Sequence, residues 1–140
     1  MAEPPAARTL VPGDARGVAI VLDEPLSFWG GLDPSTGRVI DAHHPQAGAI
    51  IAGRVLVMPS GRGSSSSPSV LVEAIRAGTA PAAIVLHEAD PIVALGAIVA
   101  SELFGADVPV VVADTTTYRS IVEGADVTVR ADEDGAVITT

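Results

Sequence analysis

Residues 67–105 read SPSVLVEAIRAGTAPAAIVLHEADPIVALGAIVASELFG, and the punctuation of this stretch decides the fold. Ser67-Pro68 places a hydroxyl where a helix needs a cap and a proline where its missing N–H costs nothing. Leu71, Ala74 and Ile75 then recur at helical spacing, and Gly78 supplies a left-handed stop. Asp90-Pro91 repeats the start and Gly105 the stop. Between the two helices, residues 82–86 form a short continuous apolar run of the kind found in buried parallel strands. Toward the C-terminus, residues 108–112 and 127–130 read the same way. Asp114 caps a third helix ending near Gly124, and residues 136–139 make a last strand. The predicted order is β-α-β-α-β-α-β, an α/β fold. Right-handed crossovers put every helix N-terminus at the carboxyl edge of one sheet, where ligands of such sheets bind. Residues 59–67, 87–91 and 113–117 are expected to meet at that edge.

Toward the N-terminus the pattern weakens. Residues 18–22, 26–29, 38–40 and 50–58 read as strands, the last interrupted by Gly53. Asp33-Pro34-Ser35-Thr36-Gly37 reads as a tight turn. Residues 1–12, rich in alanine and proline, read as a flexible tail, leaving residues 13–140 as a single domain.

Composition narrows the function. The 140 residues are nearly half apolar but poor in aromatics, so the core is built from Val, Ile, Leu and Ala. There is no cysteine, which excludes a disulfide, a thiol nucleophile and an iron–sulfur cluster held by this chain alone. There is no lysine either, which excludes a Schiff base and a P-loop. A net charge of −9 argues against nucleic acid or anionic membrane as partner. Met1–Arg8 lacks the apolar run of a signal peptide, and the apolar run at 92–100 falls short of the ~20 residues that span a bilayer. A soluble cytoplasmic protein is expected.

Pro59-Ser60-Gly61-Arg62-Gly63-Ser64-Ser65-Ser66-Ser67-Pro68 is the stretch richest in chemistry. Its glycines allow unusual backbone conformations and expose N–H groups. A hydroxyl before a helix start sits in positive potential, which favours an alkoxide or an anionic ligand. Arg62 offers a bidentate contact to a carboxylate. Ser67 is the expected N-cap. On composition alone, a catalytic serine, a phosphate-cradling loop and a plain linker all remain open. His43-His44-Pro45 lies in a loop with few carboxylates nearby, so no metal site is assigned. His87, near Glu88 and Asp90, stands at a strand end facing the same edge. The hydroxyls of Thr115-Thr116-Thr117 belong to that edge too.

Several motifs together resemble one family. Gly37-Arg38-Val39-Ile40-Asp41, His44-Pro45, Gly48, Gly53-Arg54-Val55-Leu56-Val57 and Gly61-Arg62-Gly63-Ser64-Ser65-Ser66-Ser67 resemble the small subunit of aconitase X. So do residues 73–86 and 96–105, and the resemblance runs from about Pro25 to the C-terminus. His43 matches no family position, and Pro68 stands where another serine is common. The resemblance implies a swivelling three-layer β/β/α domain, supplied as a separate subunit or fused to a large one. It implies that the large subunit carries an iron or iron–sulfur centre, with no cofactor bound by this chain. The family's hydro-lyases dehydrate cis-3-hydroxy-L-proline or phosphomevalonate, the latter in isoprenoid synthesis. The four-serine run is closer to the hydroxyproline type. By position, Ser64 is implied as the proton acceptor, with Gly61, Arg62, Gly63, Ser65 and Ser66 around the substrate.

The leading expectation is therefore a dehydratase small subunit acting on a small carboxylate and active only with its large subunit. Two readings of other classes stand beside it: a non-catalytic anion-binding or regulatory module, and a structural subunit.

Overall fold

The computed structural model describes residues 7–62 and 66–140. Four parallel strands form its centre: β2 (Gly13–Val21), β5 (Val55–Met58), β6 (Ala83–Leu86) and β7 (Val110–Ala113). Ala19, Val55 and Ala83 lie in register across the first three, and Ile84 pairs with Val110 across the last two. Two helices, α2 (Ser67–Ala77) and α3 (Pro91–Phe104), make the crossovers between β5, β6 and β7. Both carry proline in the first turn and end on left-handed glycines, Gly78 and Gly105.

The parallel strands are buried on both faces, which is why their sequences show no alternation. Leu56, Met58, Ile84 and Leu86 face a core shared with Leu71, Ile75, Val93 and Ala97 of the helices. Val55, Val57, Val85 and Val111 face a second core on the opposite side. That second core is covered by antiparallel strands: β1 (Ala7–Val11), β8 (Asp126–Asp132) and β9 (Gly135–Thr139). Helices, parallel sheet and antiparallel strands make three layers, the β/β/α arrangement expected. The strands close into a barrel in the order β1-β7-β6-β5-β2-β8-β9. Ala7 completes it by pairing with Ala113 on one side and Ala136 on the other. Many residues of the inner core are alanine, among them Ala7, Ala19, Ala83 and Ala136, and small side chains let a barrel of short strands close around a filled interior.

Several expectations need correction. Residues 7–11 are not part of a tail: they form β1, antiparallel to β7. The second half of the chain is not uniformly parallel. Residues 127–130 belong to β8, which runs antiparallel to β2 and β9. Val127 and Val129 are buried while Asp126 and Arg130 are exposed, the alternation of a strand with one solvated face. The third helix, α4 (Thr115–Ser120), stops before Gly124, because Ile121 turns into the inner core. Residues 26–29 are not a strand. Leu26 makes one parallel bridge to Gly61, and a single irregular turn follows at α1 (Phe28–Gly31). A small hairpin of β3 (Leu32–Asp33) and β4 (Arg38–Val39) comes next, and of residues 50–58 only β5 is a strand. Among the described residues no helix is long and apolar enough to cross a membrane.

Candidate functional site at the carboxyl edge

The three segments expected at the carboxyl edge meet there. β5 ends at Met58, and the carbonyl of Pro59 accepts the backbone N–H groups of His87 at 3.1 Å and Glu88 at 3.0 Å. Nε2 of His87 lies 3.1 Å from the Thr115 hydroxyl, and its ring lies 5.1 Å from that of Tyr118. Burial, helped by the charge of Asp23, holds the Tyr118 phenol above its ordinary pKa. His87, Arg8, Asp114 and Thr115 line an open depression of about 500 Å³.

Asp90 caps α3 as predicted, accepting from Ile92 N–H at 2.9 Å and Val93 N–H at 3.3 Å. Asp114 caps α4 by accepting from Thr117 N–H at 2.7 Å. That hydrogen bond favours the carboxylate and holds the Asp114 pKa below its usual value.

Gly61 and Arg62 begin the glycine- and serine-rich loop. Gly61 does not serve the purpose expected of it: its φ is not positive. It is glycine because space is lacking. A Cβ there would stand 2.5 Å from Asp90 Oδ2 and 2.8 Å from Val93 Cγ2. Arg62 donates its backbone N–H to the Leu26 carbonyl at 3.1 Å, and its guanidinium stands 3.7 Å from the Glu24 carboxylate. At the far end of the loop, Ser66 occupies the N-cap position of α2. Ser67 was the expected cap, but it is buried one residue inside the helix. Its hydroxyl is engaged by a tertiary partner, accepting from Trp29 N–H at 3.2 Å. Gly63, Ser64 and Ser65 lie outside the described residues.

Sequence reasoning missed Arg8, Asp23 and Glu24 at this edge. Arg8 lies in a stretch that reads as a tail, and nothing local in Asp23-Glu24 distinguishes it from any solvated turn. The histidine pair separates: His43 is exposed, while His44 is buried and hydrogen-bonded through both ring nitrogens. No group of three metal-ligating side chains occurs among the described residues.

A helix-covered parallel sheet, backed by antiparallel strands and with Gly61, Arg62, His87 and Thr115 at its carboxyl edge, defines a swivel-type β/β/α domain. The family model of the aconitase X swivel domain matches residues 5–139, and the chain belongs to that family. It is 55% identical over 103 residues to the cis-3-hydroxy-L-proline dehydratase of Pseudomonas aeruginosa, covering 74% of this chain and 18% of that protein. It is 43% identical over 126 residues to the phosphomevalonate dehydratase small subunit of Thermococcus onnurineus, covering 90% of this chain and 91% of that one. The crystal structure of Thermococcus kodakaraensis aconitase X in its holo-form superposes with a TM-score of 0.83 at 37% identity, over 99% of this chain and all of that one. The chain thus spans about a fifth of the hydroxyproline dehydratase it resembles and nearly the whole of the small subunit.

Proposed function

We propose that this chain is the swivel-domain small subunit of an aconitase X-type hydro-lyase, with cis-3-hydroxy-L-proline as substrate and Ser64 as proton acceptor. The observation that carries the reading is the anchoring of residues 59–62, with the Pro59 carbonyl on the His87 strand end, Gly61 packed against Asp90 and the Arg62 N–H on the Leu26 carbonyl, in a chain of this family. The preference for hydroxyproline rests on the 55% identity to the Pseudomonas aeruginosa dehydratase. The near-complete coverage of the Thermococcus onnurineus small subunit favours phosphomevalonate as the second reading.

The chemistry asked of the loop is removal of the proton next to the substrate carboxylate, with net loss of water. A serine hydroxyl is a very weak base, so its surroundings must stabilise the alkoxide. Loop N–H groups, the N-terminal end of the 11-residue helix α2 and the Arg62 guanidinium are the groups available. Arg62 suits a carboxylate substrate, and Gly61, Gly63, Ser65 and Ser66 complete the substrate contacts. Without cysteine and without a ligand cluster among the described residues, the donor set of this chain does not fit an iron–sulfur centre. We place that centre in the large subunit, and the complex in the cytoplasm.

Co-expression with the large subunit, followed by assays on cis-3-hydroxy-L-proline and phosphomevalonate, tests the reading. The chain alone is expected to be inactive and the complex to turn over hydroxyproline. Ser64→Ala should leave assembly intact and lower kcat at least about a thousandfold, the scale of losing an essential proton-transfer group. Near-normal turnover of that variant would remove Ser64 from the mechanism. Turnover of phosphomevalonate alone would select the second reading, and an inactive complex would favour a binding module.

A further inference from the structure

The described residues on either side of positions 63–65 are tied to one segment, residues 23–29. At the loop entrance Gly61 bridges to Leu26, Arg62 N–H donates to the Leu26 carbonyl at 3.1 Å and the Arg62 guanidinium pairs with Glu24. At its exit the Ser67 hydroxyl accepts from Trp29 N–H and lies 3.4 Å from the Ser27 hydroxyl. The same segment is held from behind by His44 and Gln46. Asp23 N–H donates to Gln46 Oε1 at 3.2 Å, and Gln46 Nε2 donates to Asp23 Oδ2 at 2.9 Å. His44 is only 6% exposed. Its Nδ1 receives the Gln46 N–H at 3.0 Å, and its Nε2 lies 3.1 Å from the Glu24 carbonyl. A backbone N–H can only donate, so Nδ1 is the acceptor and the ring proton sits on Nε2, directed at Glu24.

We propose that His44 is a positioning residue for Arg62, acting through residues 23–29 to set where the Arg62 guanidinium meets the substrate carboxylate. This rests on the reading of Arg62 as a substrate contact. An exposed pair at 3.7 Å, such as Glu24 with Arg62, adds little stability. Its effect is orientation: it fixes the guanidinium at the loop entrance, and the His44 bond to the Glu24 carbonyl fixes Glu24. No step in the chemistry uses the imidazole itself. The group matters to substrate binding rather than to proton transfer.

The test is steady-state kinetics of the reconstituted two-subunit enzyme with the substrate that the wild type turns over. His44→Ala should raise KM about threefold while changing kcat far less, the scale of an exposed ion pair and the mark of lost binding rather than lost chemistry. His44→Gln, whose amide can reach the Glu24 carbonyl but offers Gln46 N–H no ring nitrogen, should restore KM while remaining less thermostable than the wild type. In an Arg62→Ala background, His44→Ala should leave KM where Arg62→Ala alone puts it, because groups acting through one another are not additive. Glu24→Gln, a surface change that spares the buried network, should reproduce the KM effect and carries the test if His44→Ala fails to fold. Unchanged KM in a folded His44→Ala variant, unchanged KM in Glu24→Gln, or full additivity with Arg62→Ala, would overturn the proposal. A normal KM for Arg62→Ala would instead overturn the underlying assignment of Arg62 to the substrate site, and the proposal with it.

Discussion

Gly61 shows how the structural reason for a residue can differ from the one its neighbours suggest. Its place in a Gly-Arg-Gly run suggests a need for unusual backbone angles, whereas the structure shows a steric need. The side chain of Asp90, which comes after both α2 and β6 in the chain, occupies the volume a methyl group would take. Gly61→Ala is therefore expected to destabilise the protein by about 1–3 kcal/mol, the usual range for overpacking, read by urea unfolding. Because the clash is with Asp90, the Gly61→Ala/Asp90→Ala double variant should lose less than the sum of the two single changes. Ser67 carries the same lesson. A serine before a proline looks like a cap from its neighbours alone, but the Trp29 N–H takes up its hydroxyl, a contact between residues far apart in the chain.

At the scale of elements, the helices were the most legible part. Their caps, first-turn prolines and glycine stops are all local, so α2 and α3 could be read from adjacent residues. Asp90→Ala should cost about 1 kcal/mol by removing the two N–H contacts at the start of α3, measured as a drop in the midpoint of chemical unfolding with an unchanged slope. Strands were less legible where their partners decide their direction. Residues 127–130 look like another buried run, yet Asp126 before them and Arg130 at their end are solvated and the strand runs antiparallel. Residues 7–11 carry Arg8 and Thr9 among apolar neighbours and follow a proline-rich start. Only their pairing with β7 makes them a strand.

For the whole molecule, closure is the decisive feature. β1 covers the edges of both β7 and β9, so residues 7–11 stand between two strands that would otherwise offer unpaired backbone. A chain lacking residues 1–11 is expected to self-associate, seen as a shift to larger species in size-exclusion chromatography at micromolar concentration. A truncated chain that stays monomeric with an unchanged melting temperature would contradict the role given to β1. On the outside, α3 exposes Leu95, Ile98 and Leu103, so a helix apolar on nearly every side has only one of its faces in the core.

The α/β class, the order of the central units, the edge where the three loop segments meet and the absence of any cysteine or lysine chemistry all follow from the sequence by itself. Each depends on residue identity or on spacing within one turn of helix or one strand. The barrel closure, the antiparallel half, the steric role of Gly61 and the buried His44 network were decided by tertiary structure. They rest on contacts between segments distant along the chain, where a side chain's role depends on which backbone donor, acceptor or void it meets after folding.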